Sequence, residues 1–192
     1  MKRLVSILAL ALLAGCASPS KYGPESPYYG YSSGGRFILG QALEIEPGSA
    51  TVRLQYGKVM PRNGVQEEYP YCIFEVNTVR EQAQQIAPDS FDIVAVHRSV
   101  STIGSLLGQA RAVPVGFGVG IGFGGYAAFD DGSPSHIYYK TEFVLRSAKQ
   151  PDVRAMTCQS NQLAPGVAIM RHLTVAEIRQ ALGSIFSLNL SL

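Results

Sequence analysis

The sequence predicts a mainly β domain of the α+β class, an antiparallel sandwich or small barrel with one C-terminal amphipathic helix. Three observations lead to this prediction. Short apolar runs alternate with polar residues at the period of two that is typical of half-buried strands. Turn-forming residues separate these runs at short intervals, as between antiparallel neighbours. A single segment near the C-terminus, beginning at Thr174, has the longer period of a helix.

The folded domain is predicted to begin near Phe37. Apolar side chains of residues 37–45 fall on one parity, and residues 47–49 form a turn. A second alternating run then covers residues 51–56. We expect these two runs to pair as a hairpin.

The next strand is expected over residues 71–76, where Cys72 shares its parity with Phe74 and Val76. Residues 78–81 then match a capping box, which is compatible with a short helix ending before Pro88.

Residues 91–103 are rich in Val, Ile and Thr and predict a long strand. Residues 137–145 alternate clearly, and residues 153–159 follow after a turn. We expect these last two strands to pair antiparallel, with Cys158 on the returning strand.

The C-terminal region predicts a helix and then a strand. Residues 174–177 form a capping box, and Ile178, Leu182 and Ile185 follow at helical spacing. Gly183 marks the expected C-terminal cap. The alternation over residues 187–192 predicts a final strand that joins the sheet.

The segment 104–135 is a glycine-rich insertion. Five alternating glycines and the absence of charge between Arg111 and Asp130 leave three interpretations open. It is expected to be a mobile loop or hairpin, a strand or hairpin whose bare glycine face allows close approach by a partner, or a segment inserted into a bilayer. Glycine and Pro114 disfavour a membrane helix, and an isolated hairpin does not satisfy its backbone in lipid. Its apolar side chains form a possible interaction surface, namely Phe117, Val119, Ile121, Phe123 and Tyr126.

The N-terminus has the pattern of an export signal. Lys2 and Arg3 precede an apolar run that ends in the box Leu13-Ala14-Gly15-Cys16. The run is too short to span a bilayer, which needs about 20 residues. This box resembles the lipobox of bacterial lipoproteins. The resemblance implies that residues 1–15 are a signal peptide, that Cys16 receives diacylglycerol, and that its amino group takes a further acyl chain such as palmitate.

The resemblance also implies a location. Ala17, rather than an aspartate, follows Cys16, and the sorting pattern of such lipoproteins then implies the outer membrane, with the domain facing the periplasm. Residues 16–36 consist largely of Pro, Gly, Ser and Tyr and predict a flexible tether. Residues 37–192 are predicted to form one β-rich domain. In an oxidising compartment the two remaining thiols, Cys72 and Cys158, are expected to form a disulfide.

Charge and motifs exclude several function classes. The chain has 16 basic and 14 acidic side chains, and removal of Lys2 and Arg3 with the signal peptide balances them. A neutral chain does not favour nucleic acid as a partner. The histidines His97, His136 and His172 lack metal-ligand spacing, so no metal and no cofactor is expected. No nucleophile motif predicts an enzyme.

The sequence therefore predicts a non-enzymatic, lipid-anchored envelope protein. Its expected role is that of an accessory or assembly factor for an envelope protein partner. The alternative is a β-barrel carrier for a lipid or another apolar ligand, with residues 112–129 as its lid. A cavity lined by aromatic residues would favour the carrier.

Overall fold

A computed structural model of the chain describes residues 22–31, 34–104, 134–162 and 170–191. Within these residues there are ten strands and one helix. The strands are β1 (Arg36–Leu39), β2 (Leu43–Ile45), β3 (Thr51–Gln55), β4 (Lys58–Met60), β5 (Tyr71–Val76), β6 (Gln84–Ile86), β7 (Asp89–Gly104), β8 (Pro134–Arg146), β9 (Val153–Gln159) and β10 (Phe186–Asn189), and the helix is α1 (Val175–Leu182).

Eight strands form one antiparallel sheet that curls into a half-barrel. Their order is β10-β1-β7-β8-β9-β5-β3-β4, and β2 pairs with β6 separately. The prediction of a mainly β, antiparallel fold with one C-terminal helix is confirmed. Among the described residues, no helix has both the length and the apolarity needed to cross a bilayer.

The helix α1 lies between the two ends of the curled sheet. It contacts β10 at one end and β3 and β5 near the other. The turn between β3 and β4 meets the C-terminus of the helix, where the Gly57 amide donates a 3.0 Å hydrogen bond to the Ala181 carbonyl. The predicted capping box at Thr174 and Glu177 is present, and Gly183 caps the helix with a φ of 57°.

Five phenylalanines fill the space inside the half-barrel. All are essentially inaccessible to solvent, and neighbouring ring centroids are 5.1 to 6.4 Å apart; they are Phe37, Phe74, Phe91, Phe143 and Phe186. The predicted disulfide joins Cys72 on β5 to Cys158 on β9 beside this core, with 4.0 Å between the Cα atoms.

The predicted hairpin of residues 37–45 with residues 51–56 is wrong. β1 lies between β10 and β7, while β3 pairs with β4 and β5. Tyr56 and Gly57 allow the competing turn, since both have positive φ, at 53° and 72°. Local alternation therefore located the strands without fixing their partners.

The short helix expected from residues 78–81 is absent from the described structure. The Thr78 hydroxyl, which would have capped it, donates instead to an Asp152 carboxylate oxygen at 2.8 Å. The chain then continues into β6, where the Gln84 side-chain amide donates to the Thr78 carbonyl at 2.9 Å.

Candidate functional site

The two longest strands extend beyond their neighbours as a two-stranded ribbon. β7 and β8 pair along nearly their full length. However, β1 pairs only with residues 89–92 of β7. The strand β9 pairs with residues 141–144 of β8, and after it Asn161 and Gln162 contact β8 at Tyr138 and Ile137. The inner face of the ribbon consequently continues past the phenylalanine core.

Strand register places a polar pair directly above this core. Val96 lies opposite Phe143, and two residues further along Arg98 lies opposite Thr141. Residues two apart on a strand share a face, so Arg98 and Thr141 point to the same side as the buried Phe143. A half-buried arginine thus follows the last apolar layer.

The N-terminal arm, residues 22–31, covers this pair from one side. The Tyr31 ring meets Phe143 edge-on with centroids 5.0 Å apart, and the Tyr29 ring meets Tyr31 at 5.1 Å. The Arg98 guanidinium carbon is 5.2 Å from the centre of the Tyr31 ring. The arm is held at its start by the Val175 amide, which donates to the Pro24 carbonyl at 3.2 Å.

This packing differs from the flexible tether predicted for residues 16–36. That stretch contains no Val, Leu, Ile or Met, but its tyrosine rings provide apolar surface that the domain covers. Residues 16–21, including Cys16, lie outside the described residues.

The loop before α1 supplies His172 on another side. Its ring meets Tyr139 of β8 edge-on at 5.4 Å. Burial lowers the pKa of His172, and the positive charge of Arg98 lowers it further. The imidazole is therefore neutral at pH 7.

Four residues define what we call the mouth cluster: Tyr31, Arg98, Thr141 and His172. In the part of the chain that the structure describes, every buried side-chain atom without a hydrogen-bond partner belongs to this cluster. These atoms are Tyr31 Oη, Arg98 Nε and Nη2, Thr141 Oγ1 and His172 Nδ1. Each such atom costs about 1–3 kcal/mol, and more when it belongs to a charged group. Tyr31, Thr141 and His172 all neighbour Arg98, so these atoms are gathered in one place and mark a candidate site.

A cavity of about 200 Å³ adjoins the mouth cluster and opens to solvent. Its lining consists of Tyr29, Gly30, Tyr31, Val96 and Arg98. One water needs only about 10–15 Å³ of such space, so the cavity has room for several waters or one small chemical group.

On the outer face of the sheet, by contrast, polar side chains have hydrogen-bond partners. Tyr138 donates to the Glu67 carboxylate, and the Gln159 amide donates to the Tyr71 hydroxyl. Burial, followed by the hydrogen bond to Glu67, raises the pKa of Tyr138. These polar groups are paired with one another, so they stabilise the loop before β5.

The other candidate residues are not assembled into a site. His97 is exposed on β7, whereas His136 contacts Asn161 and stacks on Tyr138. Among the described residues, no three His, Cys, Asp or Glu side chains lie close enough to hold a metal ion. The predicted interaction surface, Phe117, Val119, Ile121, Phe123 and Tyr126, lies outside the described residues.

Sequence reasoning missed the mouth cluster, although one signal was present. Val96, Arg98 and Val100 share a strand parity, so the arginine interrupts an otherwise apolar row. No periodicity links it to Tyr31 or His172, which come from distant segments. No family model, curated protein or solved structure matches this chain.

Proposed function

We propose that the protein is a lipid-anchored envelope protein that acts by binding, as an accessory or assembly factor for another envelope protein. The observation that carries this proposal is the β7–β8 ribbon, which extends past the sheet and leads into the apolar, glycine-rich segment. An apolar sequence that connects two such strands is suited to contact a partner.

The proposed anchor rests on the N-terminal box and agrees with the disulfide. The sequence Leu13-Ala14-Gly15-Cys16 would place the acyl chains on Cys16, outside the cytoplasm. The Cys72–Cys158 bond suits an oxidising compartment such as the periplasm. The proposed location is the outer membrane.

A carrier for a lipid or another apolar ligand is the alternative, and the half-barrel architecture is compatible with it. The phenylalanines that fill the described interior favour the binding factor. An apolar ligand would have to bind above Phe143, along the ribbon.

The anchor is tested first. The full chain and its Cys16→Ser variant are expressed in a two-membrane bacterium, and membranes are separated on a density gradient. We expect the full chain in the outer-membrane fraction with an acylated Cys16 in its N-terminal peptide, and the variant unacylated with its signal peptide retained. An unmodified Cys16 in the full chain would contradict the proposal.

The partner is tested by affinity purification from detergent-solubilised membranes. The intact chain is compared with a deletion of residues 112–129 and with a length-preserving variant that has serine at Phe117, Val119, Ile121, Phe123 and Tyr126. We expect one envelope protein to be recovered with the intact chain and lost with both variants. Recovery of all three forms alone would count against an assembly role.

A further inference from the structure

One edge of the Arg98 guanidinium group has no hydrogen-bond partner. Nε and Nη2 are both buried and have no acceptor among the described residues. These two N–H groups point in parallel from the same edge, the arrangement that receives both oxygens of a carboxylate. None of the ion pairs among the described residues includes Arg98.

Two residues that neighbour Arg98 carry hydroxyl groups. Thr141 is opposite Arg98 in the strand register, and its hydroxyl has no described partner. The Tyr31 hydroxyl also lacks a hydrogen bond of good geometry, although it lies near enough to the Arg98 guanidinium for that group to lower its pKa. Burial raises the pKa of Tyr31, against the opposing effect of the nearby Arg98 charge, so the phenol remains protonated at pH 7. Both hydroxyls can therefore donate to an anion.

The charge and size of the site limit the ligand. The Arg98 guanidinium beside a neutral imidazole balances the single negative charge of a carboxylate, while Arg179, whose charge also reaches Tyr31, donates to the Leu188 carbonyl. The cavity of about 200 Å³ is below the range of about 300–1,000 Å³ typical of sites for drug-sized ligands. Its walls include the Tyr29 ring and Val96, which suit a short apolar group.

We propose that the mouth cluster binds one carboxylate group through Arg98 Nε and Nη2, with the Tyr31 and Thr141 hydroxyls as further donors. The carboxylate belongs either to a small organic acid or to the C-terminus of a peptide. The cluster is part of the folded domain, so this site depends neither on the lipid anchor nor on the partner proposed above.

The proposal is tested by nuclear magnetic resonance on the full chain in detergent. The side-chain Nε–H signal of Arg98 is followed during titration with sodium benzoate, and with benzamide, which has the same shape without the charge. We expect the signal to shift and then saturate as the benzoate concentration is raised to about 50 mM, the range that a weak site needs. Benzamide should cause no such shift. No saturable shift with benzoate, or an equal response to benzamide, would overturn the proposal.

Further probes identify the ligand class. Tighter binding of inorganic phosphate than of benzoate would overturn the assignment to a carboxylate. N-acetylphenylalanine and its C-terminal amide represent a peptide end. Tighter binding of N-acetylphenylalanine than of benzoate would support the C-terminus of a peptide as the ligand. Tighter binding of benzoate would support a small organic acid.

Variants assign the effect to named atoms. Arg98→Lys keeps the charge but removes the paired N–H edge, and we expect benzoate affinity to fall by about tenfold or more. Arg36→Lys, on the exposed pair with Asp92, is the matched control and should bind as the natural chain does. If Arg98→Lys does not fold, Tyr31→Phe should still weaken binding several-fold, and unchanged affinity in Tyr31→Phe would remove the phenol from the site.

Discussion

At the scale of single residues, the carboxylate of Glu177 has two structural roles. Both terminal nitrogens of Arg171 donate to it, at 2.8 and 2.7 Å. The Thr174 amide and hydroxyl donate to it at 2.8 and 2.9 Å. These hydrogen bonds, above all those from Arg171, lower the pKa of Glu177 to about 2. The carboxylate thus caps α1 and also fixes the loop that carries His172.

Changing Glu177 to Gln should lower the free energy of unfolding by about 1–2 kcal/mol at pH 7, the value of a partly exposed capping and ion-pair group. The folded-state pKa lies below the ordinary value of 4.5. The contribution is therefore fully present above that value and is lost as the pH falls toward 2. Urea unfolding of both proteins across this range measures it. Glu81→Gln, at an exposed position, is the control, and a difference that does not vary with pH would contradict the assignment.

The residues of the mouth cluster behave differently from Glu177. Each polar atom of Glu177 finds donors within its own loop and helix, whereas the cluster draws on segments far apart in the chain. A capping box can be predicted because its partners are three residues apart. A site formed by residues 31, 98, 141 and 172 depends on strand order, which local patterns do not contain.

At the scale of elements, the sequence predicted individual segments better than their pairing. Strands near residues 91–103, 137–145 and 153–159 were predicted and correspond to β7, β8 and β9. The helix beginning after Thr174 and the antiparallel pairing of β8 with β9 were also predicted. Alternation and helical spacing report which face an element buries. They do not report which distant strand will lie beside β1.

The end of the helix packs so closely on the β3–β4 turn that Gly183 has no room for a side chain. A Cβ atom at Gly183 would lie 2.3 Å from the Cα atom of Gly57. Gly183→Ala should therefore reduce the free energy of unfolding by roughly 3 kcal/mol, combining a clash with the cost of positive φ.

The matched control for this prediction is Gly48→Ala. Gly48 also has a positive φ, of 71°, but a Cβ there would have no atom within 4 Å. Its loss should be about 1 kcal/mol, from the backbone conformation alone. Denaturant unfolding of the two variants separates the two costs. Equal losses would mean that the turn and the helix end move apart freely.

At the scale of the whole molecule, the fold is one curled sheet whose two ends are joined through α1. The helix buries Val175, Ile178, Ala181 and Leu182 between β10 and the strands β3 and β5. Loss of the helix would therefore expose both ends of the sheet at once, which makes unfolding in a single cooperative transition the expected behaviour.

The Cys72–Cys158 disulfide stabilises the whole domain by restricting its unfolded state. It joins residues 86 positions apart, and the enclosed chain includes β6, β7 and β8. In the chain-entropy description, a crosslink over this length restricts the unfolded ensemble by about 4–5 kcal/mol. Reduction should accordingly lower the free energy of unfolding by about that amount while the native sheet order is kept.

Guanidinium unfolding of the same chain with and without a reductant measures this effect, with far-ultraviolet circular dichroism as the signal. The reduced chain should also show a larger dependence of free energy on denaturant, because its unfolded state is more expanded. A variant with alanine at both Cys72 and Cys158 is the control and should not respond to the reductant. An unchanged midpoint on reduction of the natural chain would show that the β5–β9 pairing alone holds these strands, and that the bond contributes nothing to the stability of the domain.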